Sequence, residues 1–527
     1  MPMAPSSQML YGLNDKPPLG RSSVLGLQHV LTMFGSTVAV PLLFGPKLWP
    51  VVEGLPEAVA ADLAVRQQAN IALLISSVML CSGVATLIQT TFGSRLPIIQ
   101  GVSFSFIAAF GGIISTTLSA NPVDWAAATA PGGDLGAAIA AWQDNGAMGM
   151  RTIAGAILIG GVLEAVIGFT GLMGAVRRVL SPVVVGPVIM LIGLALYQFG
   201  APFAASNWPI SILTMTLITV FALVLSRHIR LFKLFPMLLA IVGAVSVCVM
   251  VGALGWIGAD DPARVSLDAY QQAETLRTGS VFLPWGAPEF TAAAIVAVLA
   301  GYLASMIESF GDYHACKQMA DGTDPTPAEV SRGIGCEGVA CSITGMLGGF
   351  SSTSYSENIG LVGLTRVGSR YVVQIGAVFL VLLGLFGKFG ALAAAIPQPV
   401  VGGLYCTMFG LIAAVGVRQF ARADLTSDRN LFIGGFALFM GLSVPYYFQT
   451  GGSDAINGAL PGWAAGVAIA LGTTGMAVAA ILGLFLDNLI PGDAQERGLA
   501  PRTPRPSLLI PEADDVDVEA QTESETG

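Results

Sequence analysis

Thr353-Ser354-Tyr355-Ser356-Glu357-Asn358 lies inside an apolar stretch, residues 350–366, that is suited to a membrane yet begins without helix formers. An earlier stretch, 98–116, holds Gly101-Val102-Ser103-Phe104-Ser105-Phe106 and has the same character. Both are interrupted by Gly and Ser, and both carry Ser, an aromatic residue and Ser in succession. Each fits a short extended stretch followed by a half-helix. Extended backbone at membrane depth leaves N–H and C=O groups unpaired, so protein or a ligand must pair them. Half-helix N-termini also present a positive dipole end. The two segments should therefore meet at the midplane, around a site.

The rest of the chain supplies the membrane. It is 54% hydrophobic and 11% charged, with a mean hydropathy of +0.73. A soluble domain carries roughly 25% charged residues, so these 527 residues have too few charges to cover soluble surfaces. A spanning helix needs about 20 apolar residues. Stretches of that kind fall near 23–45, 69–92, 150–174, 180–200, 208–226, 233–256, 289–312, 328–348, 369–394, 399–417, 428–448 and 463–487. With the two interrupted segments they make fourteen crossings. The fold class expected is an all-α polytopic membrane protein of about 14 transmembrane segments.

Charge placement orients it. With the N-terminus inside and fourteen crossings, only Lys47, Arg66, Arg151, Arg264, Arg277 and Lys388 of the 24 Lys and Arg residues fall outside. Cytoplasmic loops carry such a bias. Both termini are expected in the cytoplasm. The net charge of −9 comes largely from loops and from Pro511–Gly527, which holds seven acids and no base and should be disordered. Residues 1–20 are polar and Pro-rich, without the pattern of a cleaved signal. The six cysteines show no paired or metal-binding spacing and are expected to be buried free thiols.

An internal repeat ties the two interrupted segments together. Pro182-Val183-Val184, Gly186 and Gly193-Leu194 recur as Pro399-Val400-Val401, Gly403 and Gly410-Leu411. Upstream, Gly168, Gly171 and Gly174 recur as Gly384, Gly387 and Gly390. The shift of about 216 residues covers seven crossings, an odd number, so the copies insert with opposite orientation. A 7+7 inverted repeat marks secondary transporters. Glycines and prolines also serve helix packing; the matched order is the informative part.

Ionisable groups inside membrane helices are costly and usually functional. Glu308 and Asp312 are four residues apart and share a helix face. Glu337 interrupts the next apolar helix, and Glu357 opens the second half-helix, followed by Asn358. Four acids without matching buried bases suit a proton or cation relay. A helix-end, structural or capping role is the competing reading for each, strongest at Glu337 and Asp312. Glu164 has no carboxylate neighbour in the sequence and is read as structural. His29 in the first helix is a core histidine or a partner of the acid cluster. Phe104 and Tyr355 could be packing, but flat rings beside paired carboxylates suit a flat ligand with N–H and C=O edges.

At these residues the chain resembles the nucleobase–ascorbate transporter family, also called nucleobase:cation symporter-2. The family signature is Gln, Glu or Pro, then Asn-x-Gly-x4-Thr, then Arg, Lys or Gly. Glu357-Asn358-Ile359-Gly360-Leu361-Val362-Gly363-Leu364-Thr365-Arg366 matches it in full. Further family-like stretches are Gln28-His29 with Met33-Phe34-Gly35, Gln100-Gly101-Val102-Ser103-Phe104 and Glu308-Ser309-Phe310-Gly311-Asp312-Tyr313. The similarity covers roughly residues 22–490.

The resemblance implies a core domain of spans 1–4 and 8–11 (22–175 and 289–395) and a gate domain of spans 5–7 and 12–14 (176–288 and 396–490). Tails of 1–21 and 491–527 flank them. It also implies a homodimer that works by an elevator-like movement in the plasma membrane. Glu308 and Glu357 would bind the base, and backbone groups around Phe104, Tyr355 and Ser356 would complete the site. Ser36, Phe409 and Asn358 would line it, with Asp312, Glu337 and His29 serving ion coupling. Glu357 is the uracil-type choice where xanthine and urate carriers have Gln and animal ascorbate carriers Pro. Asp312 matches purine carriers, and the run from Glu308 to Gly376 looks like the sodium-dependent animal branch. Uracil is therefore expected ahead of xanthine, and H⁺ ahead of Na⁺. No cofactor, structural metal or nucleic-acid partner is expected. The competing readings are an ascorbate or inorganic-anion carrier on the same fold, an intramembrane enzyme, or a substrate-sensing receptor.

Overall fold

The computed structural model describes residues 9–174, 179–258, 261–277 and 279–500. Lipid offers no partner to backbone polar groups, and a helix satisfies them internally. The apolar stretches accordingly become α1 (Leu19–Leu48), α2 (Glu57–Thr91), α3 (Ile107–Ala120), α4 (Leu135–Phe169), α5 (Pro182–Ala195), α6 (Trp208–Thr219) and α7 (Pro236–Ala253). The second half gives α8 (Ala292–Asp321), α9 (Pro327–Met346), α10 (Ser356–Thr365), α11 (Arg370–Leu385), α12 (Gln398–Phe420), α13 (Asp428–Tyr447) and α14 (Gly475–Leu489). Among the described residues, nine helices are long and apolar enough to cross a membrane, or eleven if two bent pairs each count as one span. The chain is a multi-pass, helical membrane protein.

The remaining crossings expected from the sequence fall on shorter or more polar helices. α3 has 14 residues and α10 has 10, as half-helices should. α9 has 20 but mixes Glu329, Arg332 and Glu337 with its apolar residues. Two stretches expected to run straight are bent. Arg370–Leu385 meets Gly387–Ala394 at 81°, and Ala464–Thr473 meets α14 at 93°. Phe386 and Thr474 are extended there, and each is followed by a glycine. A Cβ on Gly475 would lie 2.2 Å from Gly441 O, so the second bend is packed hard against α13.

The halves interleave rather than stack. α4 packs along α9, α2 along α11 and α5 along α12, each pairing one half with the other. Small residues permit the approach, as membrane helix contacts require. A Cβ on Gly168 would lie 2.1 Å from Gly335 N, and one on Gly193 would lie 2.5 Å from Phe409 O. Repeat glycines thus mark cross-half seams.

The two interrupted segments meet as expected. β1 (Gln100–Val102) pairs antiparallel with β2 (Ser352–Ser354), with Gly101 opposite Thr353. Ser103 N donates to Ser351 O at 3.0 Å and Tyr355 N to Ile99 O at 3.0 Å, which extends the ladder at both ends. Antiparallel pairing is what oppositely oriented copies would produce. The backbone polar groups stranded by breaking two spans satisfy each other.

Both tails are partly built into the structure. Leu10 N donates to Arg366 O at 2.8 Å and Gly368 N to Tyr11 O at 2.9 Å, so the N-terminal residues strap the exit of α10. Of the tail expected over 491–527, residues 491–500 are described and held in place: Arg497 reaches Asp487 at 2.7 Å. Residues 501–527, including Pro511–Gly527, lie outside the described residues.

Candidate substrate and coupling site

α8 carries a polar stripe through an otherwise apolar helix. Ser305, Glu308, Ser309, Asp312 and Tyr313 fall three or four apart, so they share one face. That face lies against β2 and the start of α10. Ser354 Oγ donates to Asp312 Oδ2 at 2.8 Å, and Ser356 Oγ donates to Asp312 Oδ1 at 2.7 Å. Ser309 Oγ lies 2.9 Å from Ser354 Oγ and 3.1 Å from Thr353 Oγ1.

Glu337 reaches the same stripe from α9. It is fully buried and accepts from Ser309 Oγ at 2.7 Å and from Tyr313 OH at 2.5 Å. Gln89 Nε2 of α2 in turn donates to Tyr313 OH at 2.5 Å. Asp312 and Glu337 thus each have two close donors, which is how a buried carboxylate is held in place.

Glu357 lies in the first turn of α10. Ser36 Oγ of α1 lies 2.8 and 3.0 Å from its two oxygens. Ser356 and Glu357 keep accessible surface in the middle of the bundle, so they border an internal opening. Glu308 is half-buried on the same side, within electrostatic reach of Asp312, Glu337 and Glu357. Among the described residues its carboxylate has no hydrogen-bond partner. Arg418, exposed near the end of α12, is the base within electrostatic reach of Asp312.

Other expected site residues are placed around this opening, with their side chains engaged elsewhere. Asn358 is fully buried, and its Nδ2 faces His29 Nδ1 at 3.1 Å and His29 O at 3.0 Å. That pair docks α10 on α1; it does not bring His29 to the acids. The Tyr355 ring crosses over Gly101, where a Cβ would lie 2.4 Å away, and its hydroxyl donates to Val102 O at 3.0 Å. It locks the crossed strands, with its side chain 5% exposed. Phe409 is buried, stacked 5.1 Å from Tyr405, whose hydroxyl donates to Ala39 O at 2.7 Å. Phe104 is half-buried at the entry to α3.

Ser309, Tyr313, Ser354 and Gln89 were missed by sequence reasoning. The first two could have been found, because their spacing with Glu308 and Asp312 is helical. Gln89 and Ser354 reach the cluster only through tertiary contact. No group of three or more His, Cys, Asp or Glu residues arranged to hold a metal occurs among the described residues.

This geometry is a pair of half-helices facing a carboxylate stripe. It can take a neutral, flat ligand rich in N–H groups, with free oxygens on Glu308 and a first-turn carboxylate at Glu357. A family model described as a permease family matches residues 20–450. Rat solute carrier family 23 member 1 is 37% identical over 95% of this chain and 83% of its own length. Human solute carrier family 23 member 2 is 34% identical over 94% of this chain and 76% of its own length. Nucleobase-ascorbate transporter 12 of Arabidopsis thaliana is 33% identical over 94% and 72%. Among solved structures, the transmembrane domain of the cyanobacterial bicarbonate transporter BicA is similar with a TM-score of 0.50 and 15% identity, over 89% of this chain and 99% of that one. At that identity the likeness concerns the fold alone.

Proposed function

This chain belongs to the xanthine/uracil permease family, the nucleobase:cation symporter-2 group, and is a transporter rather than an enzyme; on that footing we propose that it imports a nucleobase, uracil first and xanthine or a related purine second, by cation symport. The observation that carries this reading is the pairing of Glu357, in the first turn of a half-helix, with Glu308, whose oxygens lack a protein partner among the described residues. Uracil is neutral and presents ring N–H groups beside carbonyls. Two carboxylates facing an opening are acceptors for such edges, and hydrogen bonds to ionised groups are the stronger kind. The half-helix N-termini suit the carbonyl edge.

Movement follows from the packing. The core domain (22–175 and 289–395) carries β1, β2 and every acid of the site, and the gate domain (176–288 and 396–490) borders it through α12 and α5. An elevator movement of the core within a homodimer, across fourteen spans and with both termini in the cytoplasm of a plasma membrane, accounts for the arrangement. Buried carboxylates crossing lipid are costly unless neutralised. A proton neutralises one without a built coordination shell, whereas Na⁺ needs several oxygen ligands. H⁺ is accordingly the first choice of coupling ion and Na⁺ the second.

Ascorbate is the second reading, since the Arabidopsis relative's name joins it to nucleobases. Ascorbate is an anion at neutral pH, and Glu357 and Glu308 would repel it. Uptake of labelled uracil into proteoliposomes with an imposed pH gradient and no sodium tests both points. Accumulation that xanthine inhibits and ascorbate does not is the expected result. Inhibition by ascorbate with none by nucleobases would overturn the substrate; uptake that appears only with external sodium would overturn the ion.

A further inference from the structure

Glu164 comes from α4, in the other half of the chain from the acids of α8, α9 and α10. It is 1% exposed, and neither carboxylate oxygen has a hydrogen-bond partner among the described residues. The seam around it is tight. A Cβ on Gly338 of α9 would lie 2.3 Å from Ala165 N and 2.4 Å from Gly161 O, leaving no space for water between these helices at that point.

The titratable groups facing Glu164 are Cys341 and Glu337 from α9 and Tyr302 and Tyr313 from α8. Their hydrogens are directed elsewhere. Cys341 Sγ donates to Ser352 O at 3.2 Å, Tyr302 OH to Ile157 O at 2.9 Å, and Tyr313 OH to Glu337 Oε2 at 2.5 Å. No Lys or Arg among the described residues acts on it. An ionised carboxylate with neither donor nor counter-charge in a dry seam costs several kcal/mol. A bound cation removes that cost, and a proton is the one that needs no further ligand.

A second observation links this carboxylate to the opening. Ser356 Oγ, Asp312, Ser354 Oγ, Ser309 Oγ and Glu337 form an unbroken chain with links of 2.7, 2.8, 2.9 and 2.7 Å. Glu164 and Glu337 then interact across the α4–α9 seam. Counting hydrogens points the same way. The Ser354 hydroxyl faces Asp312, and Ser309 has one hydroxyl hydrogen for Glu337, Thr353 and Ser354. A proton arriving on Glu337 supplies the donor that this junction lacks.

We propose that Glu164 and Glu337 share one proton and form the buried end of a proton path whose other end opens at Ser356, beside the substrate acids. Glu164 is a positioning and storage residue for the coupling proton and does not touch the substrate. The inference rests on the reading of the carrier as proton-coupled. It also makes a claim that needs no substrate: the pair holds a carboxylic acid group.

Infrared difference spectroscopy on the purified full-length protein reads that group directly. A carboxylic C=O band should be present in the wild type near neutral pH and absent in Glu164→Gln. Cys341→Ser offers Glu164 a hydroxyl and should shift the same band to lower frequency, which keeps the test open if Glu164→Gln fails to fold. In proteoliposomes, Glu164→Gln should lower pH-gradient-driven uracil accumulation at least about tenfold while uracil counterflow stays within about twofold. An unchanged infrared band in both variants overturns the proposal, as does wild-type accumulation by Glu164→Gln. A wild type that ignores the pH gradient defeats the proton-coupled reading instead, and the infrared result then still decides whether the pair holds a proton.

Discussion

The entry to α3 and the entry to α10 share one frame and differ in chemistry. Ser103-Phe104-Ser105-Phe106 stands opposite Ser354-Tyr355-Ser356-Glu357 in the two halves, each after a three-residue strand. In the first copy Ser103 accepts from Ser105 N at 3.3 Å and caps its own turn. Phe106 is fully buried, stacked on Phe110 at 5.6 Å and edge-on to Tyr302 at 4.7 Å. In the second copy Ser354 and Ser356 both turn to Asp312, and Glu357 takes the place of Phe106 beside the opening. Duplication thus built a symmetric cradle, and one copy became a packed wall while the other took on the polar work. A site needs both, because functional groups hold their geometry only against rigid support.

The largest expected contrast is between Glu357→Ala and Phe106→Ala. Removing Glu357 deletes charge-assisted hydrogen bonds worth about 1.5–3 kcal/mol each, so uracil affinity should fall at least about 100-fold. The thermal midpoint should hardly move. Phe106→Ala should do the reverse, costing about 3–5 kcal/mol of stability. Protein that survives should keep its affinity within a few-fold. Equilibrium binding and thermal melts on both variants separate the outcomes; parallel losses of affinity would make the first copy part of the binding surface.

Asp312→Asn comes next. Asp312 faces Ser354 and Ser356, so its loss should reach coupling before affinity. Uracil binding should stay within about fivefold while accumulation against a gradient falls at least about tenfold. Equal losses in both assays would put Asp312 against the substrate.

The smallest contrast lies between the two matched serines. Ser103→Ala removes a cap and should cost about 1 kcal/mol of stability with transport unchanged. Ser354→Ala removes one donor from Asp312 and breaks the hydroxyl chain to Ser309. Its stability cost should be similar, but the pH dependence of uptake should change. An unaltered pH profile would remove Ser354 from the path and leave the cradle more symmetric than drawn here.

The frame was open to sequence reasoning because lipid imposes it. Broken apolar stretches must pair their backbone, and β1 and β2 do so with each other. The acids stood out because charges inside apolar helices are rare. Side-chain destinations were harder to read. Asn358 belongs to the signature, yet its amide holds His29; Tyr355 resembles a site wall, yet its ring locks the strands over Gly101. Glu164 seemed solitary because its neighbours Glu337 and Cys341 lie far along the chain. The bends at Phe386 and Thr474 arise from packing against other segments, which hydropathy along one stretch does not register.

The central claim is that Glu308 and Glu357 together hold a neutral nucleobase. Titration of uracil into purified wild-type protein and Glu308→Gln tests it most directly, because Glu308 has no other hydrogen-bonding role among the described residues and its loss should leave the fold intact. The account predicts saturable binding to the wild type, displaced by xanthine and indifferent to ascorbate, and a loss of at least about 100-fold in Glu308→Gln at an unchanged thermal midpoint. Wild-type affinity in Glu308→Gln, or displacement of uracil by ascorbate, would contradict it.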